Sequence, residues 1–346
     1  MKRTLSQILP LLLGISFLVS GGLKGIDPYG TSLKLAEYFR VWGWESFVTR
    51  YALAEAVALC AAELFLGLLL LTGVWRKVAA WSAALLALGF TVLTGWLAFS
   101  PMGAAVGDCG CFGEAFTLDH RTTFLKNIGL LALAAGNLWL VRRQGRLHPK
   151  GLRTAVFCFL FSIGVPLYSA ICLPPFDFLP YNLGTDLSAG EKLAVFGRQY
   201  EDVTDSLLEL SRKKPLVAVV ARRELVPDDL RKLSGLLDQA ETGEAALCLW
   251  TLPDLNKAAG MGTGYVGEVT LKSLVRAEAG LVIVEDGLVR AKRNLSVYRP
   301  ERFGRPVTAL DLVRHDERKL WRYAVCVLTV LVIIAFSCAR RKNRAT

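Results

Sequence analysis

The feature that most constrains this chain is a series of long, almost uncharged apolar stretches at residues 8–22, 52–74, 78–99, 124–141, 155–173 and 323–338. A bilayer core is about 30 Å thick, so a helix needs roughly 20 mostly apolar residues to cross it. With 53% hydrophobic residues gathered into such blocks, the pattern is that of a multi-pass membrane protein rather than a soluble globular chain. Residues 174–320 are of ordinary soluble composition. That is too long for a loop and implies a domain of its own.

The formal net charge of +11 would suggest nucleic-acid binding in a soluble protein, but here the basic residues mark topology and no nucleic acid is expected as a partner. Lys2 and Arg3 precede the first apolar stretch, and Arg76-Lys77 joins the second to the third. Arg142, Arg143, Arg146, Lys150 and Arg153 fill the fourth connection, and Arg340, Arg341, Lys342 and Arg344 close the chain. Every second connection is basic and free of acids, as expected of cytoplasmic loops. Both termini are therefore expected in the cytoplasm, with segments 24–51, 101–123 and 174–321 on the opposite face. In a bacterium this describes an inner-membrane protein with a large periplasmic domain. Lys2-Arg3 and the following apolar run could also form a cleaved leader, but Leu18 stands where the site at Ser20 would need a small residue. Losing that helix would not change the sidedness of the rest.

The expected organisation is a four-helix membrane domain over 1–150, a fifth helix over 151–173, an extracytoplasmic α/β domain over 174–320, and a C-terminal helix with a basic tail over 321–346. Residues 21–30, rich in glycine and ending in Asp27-Pro28-Tyr29-Gly30, read as a turn out of the membrane. Residues 32–47 mix Leu33, Leu35, Phe39, Trp42 and Trp44 with Lys34, Glu37, Arg40 and Glu45. They read either as an amphipathic helix on the outer interface or as a lid packed over the bundle. The soluble region alternates strand and helix: strands at 193–196, 216–221 and 245–251, helices at 203–212, 227–241 and 270–276, and a hairpin over 281–290 turning at Asp286-Gly287. That order predicts an α/β sandwich around a mixed sheet.

Two acidic residues, Glu55 and Glu63, lie on the second apolar stretch, Glu63 the deeper. An ionised, unpaired carboxylate at that depth costs a few kcal/mol, so Glu63 should be protonated or paired, with Lys24 and Lys126 as candidate cations. Of eight cysteines, Cys60, Cys158, Cys326 and Cys338 fall within or at the ends of apolar stretches and read as small apolar residues. Cys172 ends the fifth stretch and Cys248 sits in an apolar run. Cys109 and Cys111 are different: they are one residue apart, flanked by glycines, and on the oxidising side of the membrane. A disulfide between them closes a small, tight ring that Gly110 accommodates, and strain makes such a bond more reducible. The start of the following helix, capped by Thr117 or Asp119, and Lys126 could favour a thiolate, and His120 could move protons. A structural disulfide, or a two-thiolate metal site with His120 as the nearest further ligand, stays open from spacing alone.

Ser20-Gly21-Gly22-Leu23-Lys24 with Asp27-Pro28 and Gly30, Glu63, and Asp108-Cys109-Gly110-Cys111-Phe112-Gly113-Glu114 followed by Lys126-Asn127 resemble the DoxX and MauE families of small four-helix membrane proteins over roughly residues 4–141. The resemblance implies redox-associated membrane work. MauE is linked to maturation of a disulfide-rich periplasmic dehydrogenase, and DoxX to quinone-linked oxidoreductases. No cofactor is otherwise evident, so a quinone is the one the resemblance allows. It carries over to Cys109 and Cys111, with Lys24, Asp27 and Glu63 as secondary members. The soluble region resembles a degenerate thioredoxin-like domain in element order. Arg222-Arg223-Glu224-Leu225 stands where a Cys-x-x-Cys pair would follow the 216–221 strand, and Ala279-Gly280 stands where a proline would precede the hairpin. The resemblance therefore implies a binding or docking module.

Two functions follow from these readings. One is a redox carrier in which Cys109 and Cys111 cycle between dithiol and disulfide with an extracytoplasmic thiol partner. The other is a non-catalytic assembly or maturation factor that holds an extracytoplasmic client. A transporter with Glu63 on its path has no support from a broken-helix repeat.

Overall fold

The computed structural model describes residues 2–103, 106–107, 109–110, 118–142, 151–174, 176–188, 193–197, 199–253, 255, 261–300, 308–309 and 311–312. The apolar stretch at 323–338 and Cys111 lie outside the described residues. The chain divides into two compact units, the first ending at Ala170 and the second beginning at Ile171.

The first unit is helical: α1 (Lys2–Ile26), α2 (Pro28–Val41), α3 (Glu45–Thr72), α4 (Arg76–Phe99), α5 (His120–Arg142) and α6 (Leu152–Cys172), the last reaching into the second unit. Five of these have segments long and apolar enough to span a bilayer: Thr4–Ile26, Tyr51–Thr72, Arg76–Phe99, His120–Arg142 and Leu152–Cys172. The chain is a multi-pass membrane protein. Its helices are patterned inside out relative to soluble ones. On α4 the small residues Ala79, Ala80, Ala83 and Ala87 are buried, while Val78, Trp81, Leu85 and Val92 are exposed. Lipid tails solvate large apolar side chains, whereas small residues let helix backbones approach closely.

Residues 21–26 do not form a turn, contrary to the sequence expectation. They continue α1 to Ile26, because their glycines face α3. A Cβ on Gly21 would lie 2.7 Å from Glu63 Cβ and 2.8 Å from Leu64 N. Close helix approach, rather than chain reversal, is the reason for glycine here. The turn comes at Asp27, whose carboxylate accepts from Gly30 N at 2.8 Å and so caps α2, with Pro28 at its first position.

Between the interfacial and the lid reading of residues 32–47, the structure gives a lid. α2 buries Tyr29, Thr31, Ser32 and Tyr38, Tyr38 in a cluster with Leu97, Val106 and Cys109. The segment's C-terminal end differs from expectation, since Glu45 already begins α3.

The second unit contains a five-stranded mixed sheet in the order β3-β2-β1-β4-β5, formed by β1 (Leu216–Ala221), β2 (Ala246–Thr251), β3 (Gly262–Tyr265), β4 (Ala279–Glu285) and β5 (Leu288–Asn294). β1 to β3 run parallel, and β4 pairs antiparallel with both β1 and β5. β1 is buried at every position, with Ala218 and Val220 facing one core cluster and Val217, Val219 and Ala221 the other. A central strand covered on both faces reads as an unbroken apolar run, as this one does. Helices α7 (Thr204–Lys213), α8 (Pro227–Glu241) and α9 (Glu268–Leu274) fall close to the expected positions. Two details differ. Residues 193–196 form no strand, only isolated bridges from Phe196 to Asp202 and Tyr265. β3, built from Gly262-Thr263-Gly264-Tyr265, carries no apolar alternation and is absent from the sequence reading.

Candidate functional site

Two polar features stand inside the membrane unit, and both sit beneath α2. The deeper is an ion pair between Lys24 Nζ and Glu63 Oε1, with Lys24 4% exposed and Glu63 fully buried. Of the two cations expected from the sequence, Lys24 is the partner. It reaches Glu63 because Gly21, one turn earlier on α1, lets α3 come close. Lys126 is half-buried on α5. The Lys24 ammonium also lies 5.0 Å from the centre of the Phe90 ring, a cation–π contact worth more in a desolvated site. Glu63 Oε2 has no hydrogen-bond partner. Around the pair, Thr31 Oγ1 donates to the carbonyls of Lys24 at 3.5 Å and Asp27 at 3.3 Å. Asp27 thus supports the site through the backbone, as the cap of α2.

The second feature is the loop carrying Cys109, which α2 grips at three points. Tyr38 Oη donates to the Cys109 carbonyl at 2.6 Å, and Gly107 N donates to Glu37 Oε1 at 3.2 Å. The third grip is steric. Gly110 has φ +60, and a Cβ there would lie 2.7 Å from Lys34 Cγ, so only glycine meets both demands. Lys34 is itself held by Glu37 Oε2 at 2.7 Å. Cys109 is buried at 8% exposure, and its thiol donates to Thr123 Oγ1 at 3.5 Å in the first turn of α5. Asp119, one of the two caps expected, accepts from Thr122 N at 3.1 Å; Thr117 lies outside the described residues. His120 Nε2 lies 2.9 Å from the Val106 carbonyl, which places the ring proton on Nε2 and leaves Nδ1 a buried atom without a partner.

A polar strip joins the two features. Asn127, one turn after Thr123, donates through Nδ2 to Thr94 Oγ1 at 3.1 Å and to the Phe90 carbonyl at 3.3 Å, beside the ring that Lys24 covers. Along α2, Thr31 and Tyr38 are seven residues apart, roughly 10 Å at 1.5 Å per residue. The structure thus gathers Lys24, Asp27, Glu63, Cys109 and His120 around one helix.

Sequence reasoning missed Lys34, Glu37, Tyr38, Thr123 and Asn127. Thr31, Lys34 and Tyr38 recur at helical spacing, which would have marked one inward face of α2. Thr123 carries no signal beyond its i, i+4 spacing to Asn127, which stands in the family resemblance without an assigned role.

These features fall within a stretch that has relatives. Residues 2–140 match the family model described as methylamine utilisation protein MauE. Over these residues the four-span bundle is similar to the MauE family. The match ends before α6, so the second unit lies outside the matched residues. No curated protein and no solved structure matches the chain.

In the second unit, Arg222 and Arg223 follow β1. Arg222 pairs with Glu278 at 2.8 Å, and Arg223 pairs at 2.6 Å with the buried Asp229 in the first turn of α8. Cys248 lies in the core on β2, where burial pushes its thiol up to about 12. Such a thiol stays protonated at neutral pH and unreactive. In native protein Cys248 is therefore expected to resist maleimide for hours at pH 7.5 and to react once urea unfolds the unit. Rapid native labelling would contradict this placement.

Proposed function

We propose that this chain is a thiol-redox protein of the bacterial inner membrane in which Cys109 and Cys111 cycle between dithiol and disulfide. On oxidation the two thiols lose two electrons and two protons and form one S–S bond. The electrons pass to an oxidant of the disulfide or quinone class. The observation that carries this reading is the site of Cys109. Its sulfur is sequestered against Thr123 and its carbonyl fixed by Tyr38, beside Gly110 in the left-handed conformation. MauE is described by its part in methylamine utilisation; in this reading the thiol partner is an extracytoplasmic client. In this reading the second unit, with arginines after β1 and Cys248 buried in its core, is a thioredoxin-like docking module that exchanges no disulfides.

The second reading, a maturation factor that holds its client without redox chemistry, is favoured by that same burial of Cys248 in the core of the second unit. A Cys109→Ser/Cys111→Ser variant separates the two. Redox function predicts that reduced thiols accumulate among envelope proteins of cells carrying the variant, seen as an alkylation shift. Unchanged thiol content with intact client assembly selects the second reading.

The sidedness rests on the basic loops. Single cysteines introduced near Thr117 and Ser234 are expected to react with a membrane-impermeant maleimide in intact cells, and those near Gln144 and Asn343 only after lysis. Labelling near Gln144 in intact cells would overturn the topology.

A further inference from the structure

The segment that follows α6 is patterned against water. Phe176 is 41% exposed, Phe178 46% and Leu183 45%, whereas Asp177, between the two phenylalanines, turns to the buried Lys292, whose Nζ donates to Asp177 Oδ2 at 2.6 Å. Leu179 is buried. Exposure thus alternates along residues 176–179, with the carboxylate on the inner side and the rings on the outer one. A water-facing loop prefers the reverse, charge outside and aromatic rings in the core. α4 carries the same inversion, large apolar side chains outward and small ones inward. The backbone holds the rings in place. Along β5, Asn294 Nδ2 donates to the Ile171 carbonyl at 2.8 Å, Gly184 N to the Val289 carbonyl at 2.8 Å, and Leu187 N to the Gly287 carbonyl at 2.9 Å. Leu173, at φ +77, is packed into a core cluster of the unit.

What lies outside those rings is bounded by chain length. α6 ends at Cys172 as a segment long and apolar enough to cross a bilayer, with Leu167, Tyr168 and Ile171 exposed near its end. Phe176 comes four residues later, at most about 14 Å along the chain, and Phe178 six residues later. Each headgroup layer is roughly 5–8 Å thick, which leaves both rings able to reach the leaflet at which α6 ends. Phenylalanine and leucine are residues that insert at that depth. From this patterning we infer that residues 176–183 are an interfacial anchor whose Phe176, Phe178 and Leu183 insert between the headgroups and upper acyl chains of that leaflet. The contact is apolar and calls for no anionic lipid. A second exposed aromatic pair provides the contrast: Tyr200, 68% exposed, stacks on Tyr265 of β3, at the opposite edge of the sheet from β5.

The test uses the full chain with its eight cysteines replaced, carrying Phe176→Cys, Phe178→Cys, Leu183→Cys or Tyr200→Cys, labelled with a nitrobenzoxadiazole fluorophore and reconstituted in phosphatidylcholine vesicles. A lipid bearing a doxyl group high on its acyl chain is expected to quench the first three labels about twofold or more and to leave the label at position 200 within about a tenth of its unquenched intensity, as insertion at the headgroup boundary dictates. Iodide on both sides of the membrane should give the reverse order. Leu183→Cys leaves both phenylalanines in place, so the reading does not depend on a ring that the label has displaced. Iodide quenching without lipid quenching at positions 176, 178 and 183 would put the segment in water, and quenching by neither would put it against protein. Lipid quenching as strong at position 200 as at the other three would remove the face preference. Each of these results overturns the anchor. The unsubstituted chain in the same vesicles gives a reading that needs no variant: hydroxyl-radical footprinting by mass spectrometry should oxidise Phe176 and Phe178 about fivefold or more less than Tyr200. Equal oxidation would overturn the anchor as well.

Discussion

Replacing Lys24 by alanine is expected to lower the stability of the membrane unit by about 3–5 kcal/mol, because it strands the fully buried Glu63 carboxylate with no cation. Glu63→Ala should cost a similar amount by stranding Lys24. Conservative replacement separates charge from packing. Glu63→Gln keeps an acceptor for Lys24 and is expected to retain membrane insertion at a smaller cost. A Lys24→Met/Glu63→Met protein removes both charges together and should recover most of the loss, since replacing a buried pair with apolar residues is often neutral or better. Thermal unfolding in detergent followed by circular dichroism reads all four. If Lys24→Ala matched the parent, the pair would not be the buried contact described here. If the double replacement were stable but redox-inactive, the charges would serve function rather than folding.

The membrane half was legible because its determinants are local. Span length and loop charge are written directly in the residues, and each of the five described spans overlaps its expected stretch. Glu63 was legible as a residue that needs a partner, because the cost of a lone intramembrane carboxylate does not depend on the fold. The identity of the partner was not. Lys24 and Lys126 are equivalent in sequence, and the choice between them depends on Gly21 packing on Glu63 and Leu64 across two helices. The same property explains the misread turn at 21–26. Glycine marks either a reversal or a close helix contact, and only the facing helix decides. α2 was ambiguous for a related reason, since its aromatic and charged residues suit lipid headgroups and a polar lid equally well. In the soluble unit the buried strands were plain from their apolar runs. β3 was hidden because two of its four residues are glycine, and its pairing with β2 is non-local.

The site itself was half legible. Glycine-flanked cysteines suggest chemistry by residue type, whereas Tyr38, Glu37 and Thr123 are ordinary residues that join the candidate site only through contact with the Cys109 loop. The ring proposed for Cys109 and Cys111 is expected to open more readily than a structural disulfide, whose potential typically lies below about −300 mV.

The most direct test of this account is a redox titration of Cys109 and Cys111 in the purified full chain, with the other six cysteines replaced, equilibrated across glutathione and dithiothreitol ratios and read by alkylation shift. The account predicts a single two-electron transition between disulfide and dithiol at a potential less negative than about −300 mV. A pair that stays oxidised throughout, or that never closes, would contradict it.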